Sequence, residues 1–177
     1  MMSRYQDDVL KIPEFDVRKA LRLLYAVEDA IGISLCPEGE RKNYPYISYS
    51  YFAFYKGLKS AIRERPAKDL SYLEIGCGIG TKFIITQDWL GLGKITGIEI
   101  NPVYAKIARC LKPRASIIEE DALTFSGYGE FDIIYTYQPM IQSIYEPFIE
   151  KVKKEMKSGA TLLEVRNLIS LVEWIKE

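Results

Sequence analysis

Apolar residues recur at helical spacing near the start of the chain and then give way to short apolar runs that alternate with helical stretches. Val17, Ala20, Leu21, Leu24, Val27 and Ile31 share one side of a predicted helix, which Asp16 can cap and Gly32 can end. Residues 34–47 (SLCPEGERKNYPYI) are rich in proline, glycine and charge and read as a loop. A second helix is expected from about Ser48 to Glu64, with Tyr51, Phe54, Tyr55, Leu58 and Ile62 on one face and Lys56, Lys59 and Arg63 on the other. The pattern changes near Pro66. Strands are predicted at Leu70–Ile75, Ile95–Glu99, Ser116–Ile118, Phe131–Tyr135 and Thr161–Val165. Helical stretches fall between most of them, at Thr81–Leu90, Pro102–Leu111 and Ile141–Lys157, and Asn101-Pro102 is a favourable helix start. Strands alternating with helices imply right-handed crossovers and a doubly wound, mainly parallel α/β sheet. A last short helix, Leu168–Lys176, is expected to pack back on it.

Length and composition narrow the chemistry. The 177 residues fit one domain with a small N-terminal attachment, and we divide them into a helical extension, 1–65, and an α/β domain, 66–177. The absence of histidine excludes Ser-His-Asp and Cys-His catalysis and histidine-ligated metals. Cys36, Cys77 and Cys110 are far apart and form no CxxC pair, so no metal site is expected. Lys and Arg number 24 and so do Asp and Glu, which favours a small molecule or a protein over nucleic acid as partner. The start MMSRYQDDVL carries acids where a signal peptide would be apolar, and no apolar run approaches ~20 residues; a cytoplasmic protein with no membrane partner is expected.

Open parallel sheets bind ligands beyond the carboxyl ends of their strands, at the point where strand order reverses. The first strand runs into Glu74-Ile75-Gly76-Cys77-Gly78-Ile79-Gly80-Thr81. Glycines at alternate positions allow a tight turn and a close backbone approach to a ligand, and the helix that follows directs its free N–H groups at the same place. The spacing GxGxG departs from the dinucleotide fingerprint GxGxxG, and Glu74 ahead of it suits a ligand with an ammonium or sulfonium group better than a pyrophosphate. The second strand ends at Glu99, placed to accept from two ribose hydroxyls. The third ends in Glu119-Glu120-Asp121-Ala122, so three strand ends in succession carry acids.

LEIGCGIGT, then GIEIN, EEDA and FDIIYTYQPM, resembles the class I S-adenosylmethionine-dependent methyltransferases over about residues 70–166. Their E/D-x-G-x-G-x-G turn is matched by Glu74, Gly76, Gly78 and Gly80, with Cys77 inside it. The resemblance implies that Glu99 holds the ribose with Ile100 beside it, that Asp121 approaches the adenine amino group, and that Ala122 meets the adenine ring. It implies S-adenosyl-L-methionine as cofactor and a Rossmann-like fold. It also implies that residues after the fourth strand face the methyl group, which makes Tyr137 and Gln138 the candidate catalytic pair and Pro139 a substrate neighbour.

Two departures shape the expectation further. Enzymes of this family that methylate nucleobases or glutamine often carry Asn/Asp-Pro-Pro-Tyr after the fourth strand, and only Pro139 agrees here, so that role is not implied. Too little chain follows the fifth strand for the family's sixth and seventh, so a five-stranded sheet of order 3-2-1-4-5 is expected. Its fifth strand would be an edge covered by the C-terminal helix, the N-terminal region or a second subunit in a homodimer. Tyr44, Tyr46 and Tyr49 precede the second helix on a loop, where rings with polar tips can close over a cofactor or substrate. The leading expectation is a methyltransferase with an unidentified acceptor. The alternatives are a non-catalytic cofactor-binding or regulatory subunit, and an aminopropyl transferase or lyase using the same cofactor.

Overall fold

A computed structural model describes residues 50–166 and 170–177. The predicted helix from Val17, the loop 34–47 and the tyrosines Tyr44, Tyr46 and Tyr49 lie outside the described residues.

Helix α1, Tyr51–Ile62, starts at Ser50, whose side chain accepts from Ala53 N at 3.2 Å. It buries Tyr51, Phe54, Leu58, Ala61 and Ile62, the helically spaced stripe. They pack with Tyr72, Tyr135, Leu163 and Val165 on one face of the sheet, and the Phe54 ring meets Tyr135 edge-on at 4.7 Å. Each large side chain so buried contributes about 1.5–3 kcal/mol. Gly57 lacks a side chain where Leu171 comes close, so the helix can lie tight against the last strand.

The strands are β1 Ser71–Ile75, β2 Lys94–Glu99, β3 Ser116–Glu119, β4 Ile133–Tyr137, β5 Thr161–Arg166 and β6 Ser170–Ile175. They form a six-stranded sheet in the order β3-β2-β1-β4-β5-β6. The first five are parallel and β6 runs antiparallel to β5. Helix α2, Pro102–Leu111, follows β2 and is capped by Asn101, whose side chain accepts from Val103 N and Tyr104 N. Helix α3, Gln142–Glu155, lays Tyr145, Phe148, Ile149 and Val152 on the other face, against Leu73, Ile75, Ile134 and Leu162. The two covered faces make this the doubly wound, Rossmann-like α/β fold that the alternation implies.

Three elements differ from their predicted form. The C-terminal helix is instead strand β6, so the sheet has six strands and β5 is not an edge. Alternation decides this: Leu171 and Glu173 face α1, Glu173 pairing with Arg63 at 3.3 Å, while Trp174 joins the core under α3. The stretch after the glycine turn becomes a single wide π-helical turn, Ile84–Trp89, closed by Leu90 N donating to Ile85 O at 3.0 Å. Its β-branched run of Ile84, Ile85 and Thr86 is a poor helix former. Strand β4 starts two residues late, because Tyr128–Glu130 forms a 3₁₀ turn that ends at Phe131. Tyr137 is therefore the last strand residue rather than part of the loop beyond.

Candidate functional site

Strand order reverses between β1 and β4, where the parallel strands end side by side. The glycine turn leaves β1 there. Gly76, Gly78 and Gly80 all have positive φ, at 71°, 55° and 76°, a conformation that costs other residues steric strain. A Cβ on Gly76 would approach Pro139 Cβ to 3.0 Å, so the turns after β1 and β4 touch. A Cβ on Gly80 would meet Phe83 at 2.9 Å and Ala108 at 3.1 Å, which brings the end of the turn against α2.

Backbone groups pin the turn from within. Gly76 N and Cys77 N both donate to Ile98 O, and Gly80 N donates to Cys77 O. Cys77 is buried, and its thiol is pushed well up by burial first and by the Glu74 and Glu99 charges next. It therefore acts as a packed apolar group in the turn.

Glu99 closes the turn from the neighbouring strand. Its Oε2 accepts from Gly78 N and its Oε1 from Asn101 N, each at 2.8 Å. Burial raises its pKa, while hydrogen bonds from the backbone of Asn101, Gly78 and Ile100 act against that rise. A carboxylate has about four acceptor sites, so these contacts do not exhaust it. Beside it, Ile100 is 50% exposed, and Leu123, beyond the end of β3, is 39% exposed. An apolar side chain standing open next to a buried carboxylate suits a ligand that combines a flat ring with hydroxyls.

The other sequence-predicted residues lie at or just beyond the carboxyl ends of β3 and β4. Asp121 Oδ1 accepts from Leu123 N at 2.9 Å, and Ala122 is buried with its carbonyl accepting from Tyr128 OH at 2.6 Å. Glu74, Gly76, Cys77, Gly78 and Gly80 share one turn, with Glu99 and Ile100 beside it. Tyr137 ends β4, and Gln138 follows it, buried, with φ at 22°. A non-glycine residue in that region is strained, and proline next in sequence restricts it further. Among the described residues no group of three or more His, Cys, Asp or Glu could hold a metal ion. Among them, too, no helix is long and apolar enough to cross a membrane.

The candidate residues picked from sequence omitted Lys82 and Thr81, and read Tyr51 only as core. Lys82 Nζ lies 3.5 Å from Glu74 Oε1, and Tyr51 OH donates to Thr81 Oγ1. A signal was available: an acid inside an apolar strand requires a buried partner, and Lys82 stands in an otherwise apolar run two residues past the last glycine.

No family model matches the sequence, and no curated protein matches it. Solved structures do match in fold. The chain is similar to CalS10, an amino pentose methyltransferase from Micromonospora echinaspora involved in calicheamicin biosynthesis, at 18% identity and TM-score 0.54, over 66% of this chain and 51% of that one. It is similar to magnesium protoporphyrin IX methyltransferase from Synechocystis at 11% identity and TM-score 0.53, over 63% and 56%. An RNA methyltransferase from Salinibacter ruber, in complex with S-adenosyl-L-homocysteine, aligns at 16% identity and TM-score 0.50, over 62% and 73%. The chain thus spans little more than half the length of the first two. Its fold is that of S-adenosylmethionine-dependent methyltransferases of known structure.

Proposed function

We propose that this chain binds S-adenosylmethionine at the carboxyl ends of β1, β2 and β3 and transfers its methyl group to an acceptor. The observation that carries the reading is the meeting of the positive-φ glycine turn, which leaves β1 where strand order reverses, with the buried Glu99 carboxylate at the end of β2. The residues present fit that cofactor. Glu99 has acceptor capacity for ribose hydroxyls, Ile100 and Leu123 offer open apolar surface for adenine, and Asp121 with Ala122 lies at the next strand end. The matched fold adds support.

When bound, the sulfonium supplies an already activated methyl group. The chain's own contribution is to bind, orient and exclude water. Acids at the ribose and amino-acid ends are compatible with this chemistry. Negative charge touching the sulfur would hold the reactant state too well, because the positive charge on sulfur diminishes on the way to the transition state. Tyr137 and Gln138 are the residues we assign to orienting the acceptor, with Pro139 and the tyrosines Tyr44, Tyr46 and Tyr49 as substrate contacts. The strained backbone of Gln138 supports this, since strain of that kind concentrates at working sites. Equal numbers of acidic and basic residues support a small molecule or protein as acceptor. Residues 66–177 form the cofactor-binding unit in this reading, with 1–65 as its extension.

The test is direct. S-adenosylmethionine or S-adenosylhomocysteine at ~100 times its dissociation constant should stabilise the protein by about 2.7 kcal/mol in thermal melts, and NAD or ATP should not. With cell extract as acceptor source, mass spectrometry should find S-adenosylhomocysteine accumulating. Methylthioadenosine in its place would indicate aminopropyl transfer or lyase chemistry. Cofactor binding without either product would indicate a regulatory subunit. Stabilisation by NAD alone would overturn the cofactor assignment.

A further inference from the structure

Behind the glycine turn the structure holds a full charge pair away from solvent. The side chains of Lys82 and Glu74 are 8% and 1% exposed, with Nζ 3.5 Å from Oε1. That separation is wider than the ~2.7–2.9 Å of a well-made charge-assisted hydrogen bond. A buried pair of this kind rarely stabilises a fold more than apolar residues of the same volume would, so its presence calls for a use. The ammonium lies over two rings, Tyr51 at 5.7 Å and Tyr135 at 5.8 Å, an arrangement that favours a cation. The second carboxylate oxygen accepts from Tyr72 OH at 3.3 Å. Tyr51 opens helix α1 and donates to Thr81, the residue directly after the last glycine. The acid ahead of the turn, the two residues behind it and the first turn of α1 are therefore one continuous set of contacts.

We propose that Lys82 is a positioning residue of the cofactor site and that helix α1 is coupled to that site through Tyr51. Lys82 fixes the Glu74 carboxylate two residues ahead of the first glycine, while Tyr51 fixes the far end of the turn. The inference rests on the cofactor reading above. Linkage makes the coupling reciprocal: a ligand on the turn tightens the start of α1, and loosening α1 weakens the ligand by the same factor.

Among the described residues the groups facing Glu74 include Lys82, Tyr72 from β1, Tyr135 from β4 and Cys77 from the turn, with Glu99 beyond Cys77 and Tyr51 of α1 behind Lys82. Burial first, and the Glu74 charge next, keep Tyr72 and Cys77 protonated at neutral pH. Lys82 is a cation in that set, so removing it withdraws positive charge from a buried carboxylate and favours proton uptake there as pH falls.

Titration calorimetry of the full chain with S-adenosylhomocysteine, from about pH 6 to about pH 8, decides the matter. Lys82→Met should bind roughly tenfold more weakly at neutral pH, with a deficit that grows as pH falls. Lys82→Arg should stay within about threefold of the parent and keep its pH profile. Tyr51→Phe retains the ring and loses the hydroxyl that donates to Thr81, and should bind roughly threefold or more weakly. In the parent, the ligand should slow amide exchange at Ala53, Phe54 and Tyr55, and in Tyr51→Phe it should slow it much less. A Lys82→Met protein with the parent's affinity and pH profile would overturn the proposal. So would exchange at the start of α1 that the ligand leaves unchanged in the parent. If Lys82→Met does not fold, Tyr51→Phe and the parent's exchange decide by the same criteria. A parent that does not bind the ligand at all refutes the cofactor reading itself, and this inference with it.

Discussion

Replacing Glu99 with alanine removes a buried carboxylate that closes the glycine turn and, in the cofactor reading, holds both ribose hydroxyls. A hydrogen bond to a charged group contributes about 1.5–3 kcal/mol, so binding should weaken about 10- to 150-fold. The free protein should change less. Gly78 N and Asn101 N lose acceptors at 2.8 Å, but the cost that burial places on the charge, visible in the raised Glu99 pKa, is removed too. We expect a net loss of about 1 kcal/mol, a fall of about 2–4 °C in Tm. Ligand at ~100 times the parent's dissociation constant should raise the parent's Tm by about 5–11 °C. For a variant hundredfold weaker, the same concentration leaves about 0.4 kcal/mol, or about 1–2 °C. Melts with S-adenosylhomocysteine check this. Repeating them with the analogue lacking the 2′-hydroxyl separates the ribose contact from the shape of the turn, because the parent should discriminate against it and the variant should not. If the alanine variant kept the parent's ligand shift, or still discriminated, the ribose assignment would be refuted.

Two further outcomes follow from other parts of the molecule. Tyr137→Phe combined with Gln138→Ala should leave cofactor affinity within about threefold and cut single-turnover methyl transfer by about tenfold or more; an equal loss of both would make these residues cofactor contacts. Asp132 accepts from Ser71 N at 2.8 Å and Ser71 Oγ at 2.7 Å and pairs with Lys157 at 2.7 Å. Burial alone would raise its pKa, but Lys157 and Ser71 outweigh burial and hold the carboxyl below its usual range. Its stabilisation is therefore present above the unfolded value of about 3.9 and lost as pH falls through the lower folded value. Asp132→Asn should cost about 1–2 kcal/mol in urea melts at neutral pH, and the gap should narrow below about pH 4; a gap independent of pH would rule out the charge as its source.

What was legible in the sequence is what is locally determined. The glycine turn announces itself because Gly76, Gly78 and Gly80 need positive φ, a demand written into three residues. Asn101-Pro102 marks the start of α2 for the same kind of reason. Strand β6 was hidden because Leu168, Leu171, Val172 and Ile175 satisfy helical spacing while SLVEWI also tolerates alternation. Pairing with β5 settles the choice, and pairing is a tertiary fact. The link between Lys82 and Glu74 was only half legible for a related reason. Each residue can be flagged singly, but only the folded turn brings an ammonium and a carboxylate eight positions apart to one place.

The hairpin of β5 and β6 also bears on the order in which the sheet assembles. Arg166 pairs with Ser170, four residues on, whereas Tyr72 of β1 must find Ile133 of β4 across 61. Closing a loop costs about 0.6 kcal/mol more for each doubling of its length, so the distant pairing starts about 2.4 kcal/mol behind. The antiparallel end of the sheet is thus the cheap place to begin, and the β1–β4 junction that shapes the site is among the costly contacts to close. Trp174 sits in β6, inside the segment that can form early, so its indole is placed to report on that first pairing before the site is built.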